Sequence, residues 1–299
     1  MTTGHADGSP RACDVVVAGG GIVGTACALA CAERGLRVAL IEPEFPGSGA
    51  TAAGMGHIVV MDDSEAQFAL TRRSQQLWQA LSASLPAGAE FEQRGTIWVA
   101  ADDEEFAEAE RKRLYLEDRG VPSRLLSAAE LRAHEPNLRP GLAGGLLAPE
   151  DAVVYPPAVA LHLANQLRAR GSELIKGRVV ELGDGLARLD DGSELHAKTL
   201  VNAMGADAAQ CTPGLPVKTR KGHLAITDRY PGFVHHQLVE LGYLQSAHSI
   251  ASDSVAFNVQ PRQTGQILIG SSRQYGNENS AVDQQMLAAM LNRTELYLP

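Results

Sequence analysis

The sequence predicts an α/β fold in which a mainly parallel sheet is joined to a second, mainly antiparallel domain. Near the N-terminus a strand, a glycine-rich turn, a helix and a second strand succeed one another within about thirty residues, which is the size of one βαβ unit. After Pro216 the pattern changes to short segments that alternate or run apolar between turns, as antiparallel strands do. The 299 residues are enough for two joined domains. We expect residues 1–85 and 146–215 to form the first domain and residues 86–145 and 216–299 to form the second.

The βαβ unit begins with Asp14–Ala18, a valine-rich segment that predicts a buried parallel strand. A turn over residues 19–24 follows at once, and Thr25–Arg34, rich in alanine and leucine, predicts the helix. The apolar segment Leu36–Ile41 predicts the second strand, which closes on Glu42.

The turn has the pattern Gly19-x-Gly21-x-x-Gly24, and each glycine has a physical task. Gly19 permits the tight turn, Gly21 lets the backbone approach a pyrophosphate, and Gly24 lets the helix pack closely on the sheet. The N-terminus of the helix offers free N–H groups and a positive dipole to phosphates. Glu42, at the tip of the second strand, is placed to accept hydrogen bonds from a ribose. The context of strand, turn, helix and acid therefore predicts a Rossmann-like dinucleotide site.

The later elements follow from periodicity and turn residues. Helices are predicted over Ser64–Leu85, Asp102–Arg119, Ala128–Ala133 and Pro156–Arg170. Strands are predicted over 95–100, 172–182, 199–203, 222–227, 254–260 and 266–271, with a hairpin turn at 190–193.

Composition excludes several classes of function. With 26 Lys and Arg against 35 Asp and Glu, the net charge is −9, which disfavours binding to nucleic acid. The sequence has no apolar run of 18 residues and no apolar signal segment in its first dozen residues, so we expect no membrane span and a cytoplasmic protein. His235-His236 has no third ligand at a suitable spacing, and the four cysteines form no Cys-x-x-Cys pair, so no metal site is predicted.

Two features favour FAD over NAD as the dinucleotide. The loop from Gly49 to His57 consists mainly of small residues and follows the acid, where an NAD enzyme normally begins another regular helix. A late strand, 200–203, ends in the small-residue turn Met204-Gly205, which suits a close approach over the nucleotide. An NAD-dependent dehydrogenase is the alternative that these features disfavour.

These residues resemble the D-amino-acid-oxidase-like flavoprotein family, which includes glycine oxidase, sarcosine oxidase and the D-amino acid and hydroxyproline dehydrogenases. The resemblance covers nearly the whole chain. It lies in segments 14–42, 50–57, 178–181, 199–207, 218–224 and 257–273.

The resemblance implies a role for specific residues. By it, Glu42 holds the adenosine ribose, and Val179 meets the adenine through its backbone. The pyrophosphate would be held by Gly19, Gly21, Ile22, Val23 and Gly24. The phosphates and flavin would be lined by Ala50, Thr51, Ala53, Gly54, Met55, Gly56 and His57, and the adenosine end would be closed by Ala203, Met204 and Gly205.

The resemblance also implies catalytic roles for His57, Asn258 and Arg273, the last as a two-pronged donor to a carboxylate. Each has an equally plain structural alternative: a backbone-only role for His57, a sheet asparagine for Asn258 and a surface arginine for Arg273.

The function implied by the resemblance is FAD-dependent oxidation of the C–N bond of a small amino acid or secondary amine, by hydride transfer to flavin N5. The family's last segment carries a Gly-x-Arg-Pro-like strand and a Gly-His-Gly-like turn, and this sequence contains neither. The alternative is therefore a non-catalytic or incomplete FAD-binding subunit. The electron acceptor and a homo- or hetero-oligomeric state are left open.

Overall fold

The computed structural model describes residues 11–242, 253–277 and 279–299. Backbone contacts divide the chain into a first unit, Met1–Gly54 with Pro156–Val217, and a second unit, Met55–Tyr155 with Lys218–Pro299.

The helices and strands are as follows. The described strands are β1 Arg11–Ala18, β2 Val38–Glu42, β3 His57–Ile58, β4 Thr96–Ala100, β5 Arg124–Ser127, β6 Gly144–Ala148, β7 Ala152–Val153, β8 Glu173–Lys176, β9 Val179–Gly183, β10 Leu186–Leu189, β11 Glu194–Asn202, β12 Arg220–Lys221, β13 Ala225–Ile226, β14 Gln237–Glu240, β15 Ser254–Pro261 and β16 Ile267–Tyr275. The described helices are α1 Ile22–Ala32, α2 Ala50–Ala53, α3 Glu65–Ser82, α4 Asp103–Asp118, α5 Ala128–His134, α6 Pro156–Ala169, α7 Ala208–Cys211 and α8 Gln284–Glu295.

The first unit is built on one six-stranded sheet in the order β8-β2-β1-β11-β10-β9. The first four strands are parallel, and β9 and β10 extend the sheet as antiparallel strands. Ala28 of α1 and Leu167 of α6 pack on one face with Val15, Val17 and Leu40. This arrangement confirms the predicted parallel sheet, and the predicted hairpin turn joins β10 to β11.

The second unit is built on a larger sheet in the order β12-β16-β15-β14-β4-β6-β5, in which β13 also pairs with β16. Its ladders are antiparallel except for the one between β4 and β14, so the predicted mainly antiparallel character is confirmed. One face carries Ile97, Leu238 and Phe257, and the other carries Trp98 and Val239 beneath α4.

The unit boundaries differ from the expected ones. Residues 55–85 and 146–155 lie in the second unit, whereas the sequence predicts them in the first. The physical reason is local pairing, because β3 pairs with β7 and β6 pairs with β4.

The helices α3, α4, α5 and α6 begin within one residue of their predicted starts, whereas α1 begins at Ile22 rather than at Thr25. Asp102 caps α4 by accepting from the Glu105 N–H at 2.9 Å, and Ser64 caps α3 in the same way. In the described part of the chain, no helix has the length and apolar character needed to cross a membrane.

Candidate functional site

The turn between β1 and α1 leaves no room for a side chain at two of its glycines. Gly19 has a φ of 101°, and a Cβ there would lie 2.4 Å from the carbonyl oxygen of Ala203. A Cβ on Gly24 would lie 1.8 Å from the carbonyl oxygen of Gly19. This geometry supports the tight-turn role predicted for Gly19 and the close-packing role predicted for Gly24.

The N-terminus of α1 provides backbone donors. The first four N–H groups of a helix have no partner inside it. Here the Ile22 N–H donates to Thr51 Oγ1 at 3.1 Å, and the Thr25 N–H donates to the Gly21 carbonyl at 2.9 Å. The N–H groups of Val23 and Gly24 make no bond outside α1 within the described ranges. Together with the positive end of the helix dipole, these donors fit the pyrophosphate of a dinucleotide.

Glu42 is buried at the carboxyl end of β2 and is tied to the glycine turn. Its Oε2 accepts from the Gly20 N–H at 2.7 Å, and its Oε1 accepts from the Glu44 N–H at 3.0 Å and from Ser48 Oγ at 3.2 Å. An ionised carboxylate has about four acceptor positions, so one remains open. Glu42 therefore braces the turn and still has an acceptor position for a ribose hydroxyl.

The small-residue segment after β2 is partly helical rather than an irregular loop. Residues 50–53 form α2, which begins after Gly49 at a φ of 61°. Its main contact with the turn is Thr51, whose hydroxyl receives the Ile22 N–H. Ala53 and Gly54 are exposed at its end. The tight turn at Gly49 and the small side chains account for a helix of only four residues.

The turn after β11 is held from both sides. The Ala203 N–H donates to the Ala18 carbonyl at 2.8 Å, which extends the ladder between β1 and β11. The Met204 N–H donates to Asn202 Oδ1 at 3.3 Å, and Gly205 begins a short 3₁₀ turn. Val179, predicted to meet the adenine, is buried at the start of β9. These positions are fixed by the backbone, and their contacts with a nucleotide stay a prediction.

In the second unit a row of polar side chains begins at β3 and continues over three strands of the large sheet. We call His57, Thr96, Gln237 and Asn258 the polar row. Thr96 and Gln237 are register partners in β4 and β14, so their side chains share a face. The Gln237 side-chain amide donates to Asn258 Oδ1 on β15, and His57 Nε2 lies 2.7 Å from Thr96 Oγ1. Four segments that are far apart in sequence therefore meet along one line.

His57 is held as a neutral imidazole. Burial lowers the pKa of its side chain from 6.5 to about 4. Its Nε2 is engaged by Thr96, while Nδ1 makes no hydrogen bond with the described residues. A neutral imidazole with one free nitrogen can donate to or accept from a ligand, depending on its tautomer.

The far end of the polar row combines a buried amide with a close backbone approach. Gln237 is fully buried, and its Oε1 has no hydrogen-bond partner among the described residues. Asn258 pairs with Gly270 across β15 and β16, and a Cβ on Gly270 would lie 3.2 Å from Met55 Sδ. Met55 and Asn258, both predicted site residues, therefore lie at the same point of the sheet.

Arg273 is not brought to the polar row. It pairs with Ser254, whereas Asn258 lies four residues further along β15, roughly 13 Å away along the strand. The backbone of the second unit thus separates the two residues that were predicted to contact substrate together. The catalytic role of Arg273 stays a prediction.

Two histidine positions have structural partners. His236 Nδ1 lies 2.7 Å from Glu135 Oε1, and His223 is buried between Ser272 and the Asp283 N–H. No group of His, Cys, Asp or Glu suited to a metal ion occurs among the described residues.

Sequence reasoning missed three polar residues of the second unit. Thr96 lies in the apolar strand β4, Gln237 begins the half-polar strand β14, and Asp151 follows the turn after β6. All three are buried. For Thr96 the available indication was a lone polar residue inside a predicted apolar strand. For Gln237 there was none, because strand β14 itself had not been predicted.

Comparison with known proteins identifies the same flavoprotein family that the sequence resembles, over most of the chain. The family model described as FAD dependent oxidoreductase (DAO) matches residues 14–299. The hydrogen cyanide synthase subunit HcnC of Pseudomonas aeruginosa is 28% identical over 88% of this chain and 72% of the relative. Glycine oxidase of Geobacillus kaustophilus is 30% identical over 66% of this chain and 55% of the relative.

Solved structures share the fold. The crystal structure of glycine oxidase from Geobacillus kaustophilus superposes with a TM-score of 0.83, covers 97% of this chain and 79% of that chain, and is 23% identical. The L-proline dehydrogenase from P. horikoshii superposes with a TM-score of 0.81 at 22% identity, covering 97% of this chain and 78% of that chain.

Proposed function

The chain belongs to the FAD-dependent oxidoreductase family, and we propose that it oxidises the C–N bond of a small amino acid or secondary amine. The observation that carries this proposal is the polar row, in which a neutral His57 has one unengaged ring nitrogen and bonds Thr96, the register partner of Gln237, whose amide bonds Asn258. Neutral acceptors of this kind suit an amine N–H, because they bind it without adding a charge. The relative named glycine oxidase supports an amino acid as substrate.

For the cofactor, we propose that the first unit holds the ADP half of FAD. The donors at the N-terminus of α1 would bind the pyrophosphate, and the open acceptor position of Glu42 would bind a ribose hydroxyl. FAD supplies the hydride acceptor at its N5 atom.

For the reaction, the amine enters unprotonated, with an N–H directed to the neutral His57 or to an amide oxygen of the polar row. The Cα–H bond breaks with its electron pair, the nitrogen lone pair forms the C=N bond, and loss of the N–H proton leaves an imine that water hydrolyses. None of these steps requires a strong base in the chain, which agrees with a His57 whose pKa of about 4 makes it a poor one.

The test is the visible spectrum of the purified FAD-bound chain, recorded anaerobically while candidate amines are added. The panel contains glycine, sarcosine, D-alanine, both enantiomers of proline and the 4-hydroxyproline epimers. We expect one of them to bleach the flavin bands. Bands that no amine bleaches would contradict the proposal and match the alternative, an FAD-binding subunit without a finished substrate site.

A matched pair of histidine variants tests the polar row. His57→Gln should slow flavin reduction by the bleaching amine about ten- to hundredfold, the value of one or two lost hydrogen bonds. His196→Gln, at an exposed position of β11, should leave that rate unchanged. Equal rates in the two variants would remove His57 from the reaction.

A further inference from the structure

Asp151 is a buried carboxyl group next to the polar row. It follows β6 in the second unit and is 2% exposed. Its Oδ1 accepts from Gln75 Nε2 of α3 at 2.9 Å, whereas no described group lies in good hydrogen-bond geometry to Oδ2. The start of β4 lies against Asp151, since the Gly95 N–H donates to the Asp151 carbonyl oxygen at 3.0 Å. The hydroxyl of the next residue, Thr96, lies close enough to the Asp151 carboxyl to lower its pKa as a hydrogen-bond donor. A buried carboxyl with one open oxygen is positioned to gain or lose a proton.

The Thr96 hydroxyl links Asp151 to His57. Thr96 is fully buried, and its Oγ1 lies 2.7 Å from His57 Nε2. A hydroxyl group has one proton and two lone pairs, so it donates to one neighbour and accepts from the other. The direction of the Thr96–His57 bond is therefore determined by the group on the opposite side of the hydroxyl.

We propose that Asp151 is a positioning residue that acts through Thr96 to determine which ring nitrogen of His57 carries the proton. When Asp151 is ionised, it accepts the Thr96 proton, Thr96 accepts from His57 Nε2–H, and Nδ1 is a bare acceptor. When Asp151 is protonated, it donates to Thr96, Thr96 donates to a bare His57 Nε2, and Nδ1 carries the proton. The imidazole is neutral in both states, and only its tautomer changes.

We expect both states to be populated near neutral pH. Burial raises the pKa of Asp151 from 3.8 to about 7. The Thr96 hydroxyl, the Val60 amide and the charge of Lys112 on α4 lower that pKa, and Glu150 raises it. Lys112 is also paired with Asp62 and lies over the Trp98 ring.

On α3, Arg72 bonds both Gln75, the partner of Asp151 Oδ1, and Glu150. His57 itself titrates only near pH 4, well below this range.

The consequence concerns the free nitrogen of His57. Above the pKa of Asp151, Nδ1 accepts a hydrogen bond, as an amine substrate requires, and below it Nδ1 donates. This consequence rests on the proposed function, but the tautomer exchange does not. A chain that oxidises no amine would still show the exchange.

The test is nitrogen NMR of FAD-bound protein labelled with ¹⁵N-histidine, recorded without substrate from about pH 5.5 to 8.5. The chain has nine histidines, so the His57 signals are assigned by their loss in His57→Gln. Protonated and bare ring nitrogens resonate far apart. As the pH rises through about 7, we expect the Nδ1 signal to change from protonated to bare and the Nε2 signal to change from bare to protonated. In Asp151→Asn we expect one fixed tautomer at all pH values.

Variants at the linking hydroxyl keep the test independent of how well Asp151→Asn folds. Thr96→Val should abolish the exchange, and Thr96→Ser should restore it. Glu150→Gln is the matched carboxyl control, which should retain the exchange with its midpoint moved to slightly lower pH. A wild-type His57 that keeps one tautomer throughout, or an exchange that persists in Thr96→Val, would overturn the proposal.

Discussion

Replacing Gly19 with alanine should destabilise the first unit and weaken FAD binding, and Gly35→Ala provides its matched control. Both glycines have positive φ values, 101° and 80°, so each alanine pays about 1–2 kcal/mol for a left-handed backbone. They differ in their surroundings. The new Cβ at residue 19 would lie 2.4 Å from the Ala203 carbonyl oxygen, whereas the new Cβ at residue 35 has no atom within 4 Å.

The difference between the two variants measures the collision with Ala203. That carbonyl would have to retreat by about 1 Å to reach ordinary contact at 3.4 Å, and overpacking of this kind costs about 1–3 kcal/mol. If the relaxed turn no longer fits the pyrophosphate, re-forming the native turn on binding costs the same energy, which raises the Kd for FAD about 5- to 150-fold.

Urea denaturation of the apoprotein measures the free energy of unfolding of each variant, and quenching of FAD fluorescence measures its Kd for FAD. We expect Gly35→Ala to lose about 1–2 kcal/mol of stability and to bind FAD as the wild type does. The reasoning is refuted if Gly19→Ala keeps the wild-type affinity, or if the two variants lose affinity equally.

Three further variants test the bracing of the turn and the buried carboxyl. Glu42→Gln should lower the free energy of unfolding by about 2 kcal/mol and weaken FAD binding, because one backbone N–H that now donates to the carboxylate would face the NH₂ group of glutamine. The control is the exposed Glu44→Gln, and equal urea midpoints for the two variants would contradict the bracing role of Glu42. Thr51→Val should raise the Kd for FAD several-fold in the fluorescence titration, because the Ile22 N–H loses its acceptor, and Thr51→Ser should restore it. The pKa of Asp151 is about 7 in the folded protein and 3.8 in the unfolded protein. Between these two pH values the Asp151 carboxyl is protonated in the folded protein and ionised in the unfolded protein, so the stability of the fold falls as the pH rises through about 7. Asp151→Asn should therefore gain on the order of 4 kcal/mol relative to wild type between about pH 4 and pH 8 in urea titrations, and a difference that does not change with pH would be evidence against a buried titrating carboxyl.

The first unit could be predicted from the sequence because its parts are local. The strand, turn and helix from residue 14 to residue 34 are consecutive, and the tasks of Gly19 and Gly24 follow from their spacing alone. Helix starts were equally accessible, since Asp102 caps α4 through a residue three positions away. The FAD cofactor and the family, which the comparison confirms, were predicted from this segment together with the loop 49–57, the turn at 204–205 and the later segments of the resemblance.

The second unit could be predicted only in character. Strand β14 is four residues long, and its Gln237 and Glu240 are polar but buried, so its composition does not resemble that of a central strand. Its neighbours are β4 and β15, and no periodicity within residues 237–240 indicates a parallel pairing with β4 more than a hundred residues earlier. The unit boundary at residue 54 was missed for a related reason, since β3 is two residues long and is defined by its partner β7.

This contrast has a chemical cause. The nucleotide site that we propose consists mostly of backbone N–H groups and of spaces too small for a Cβ atom, and both are encoded by glycine. The polar row is made of side chains from four separate segments, and the chemistry of His57 depends on a hydroxyl from β4 and, by our inference, on a carboxyl after β6. Substitutions in the polar row should therefore alter the rate of flavin reduction while leaving FAD affinity unchanged, and substitutions in the turn should do the reverse. Measuring the rate of flavin reduction and the affinity for FAD in Gly19→Ala and Thr96→Val would test this separation directly. If the polar row also held FAD, both variants would bind FAD more weakly.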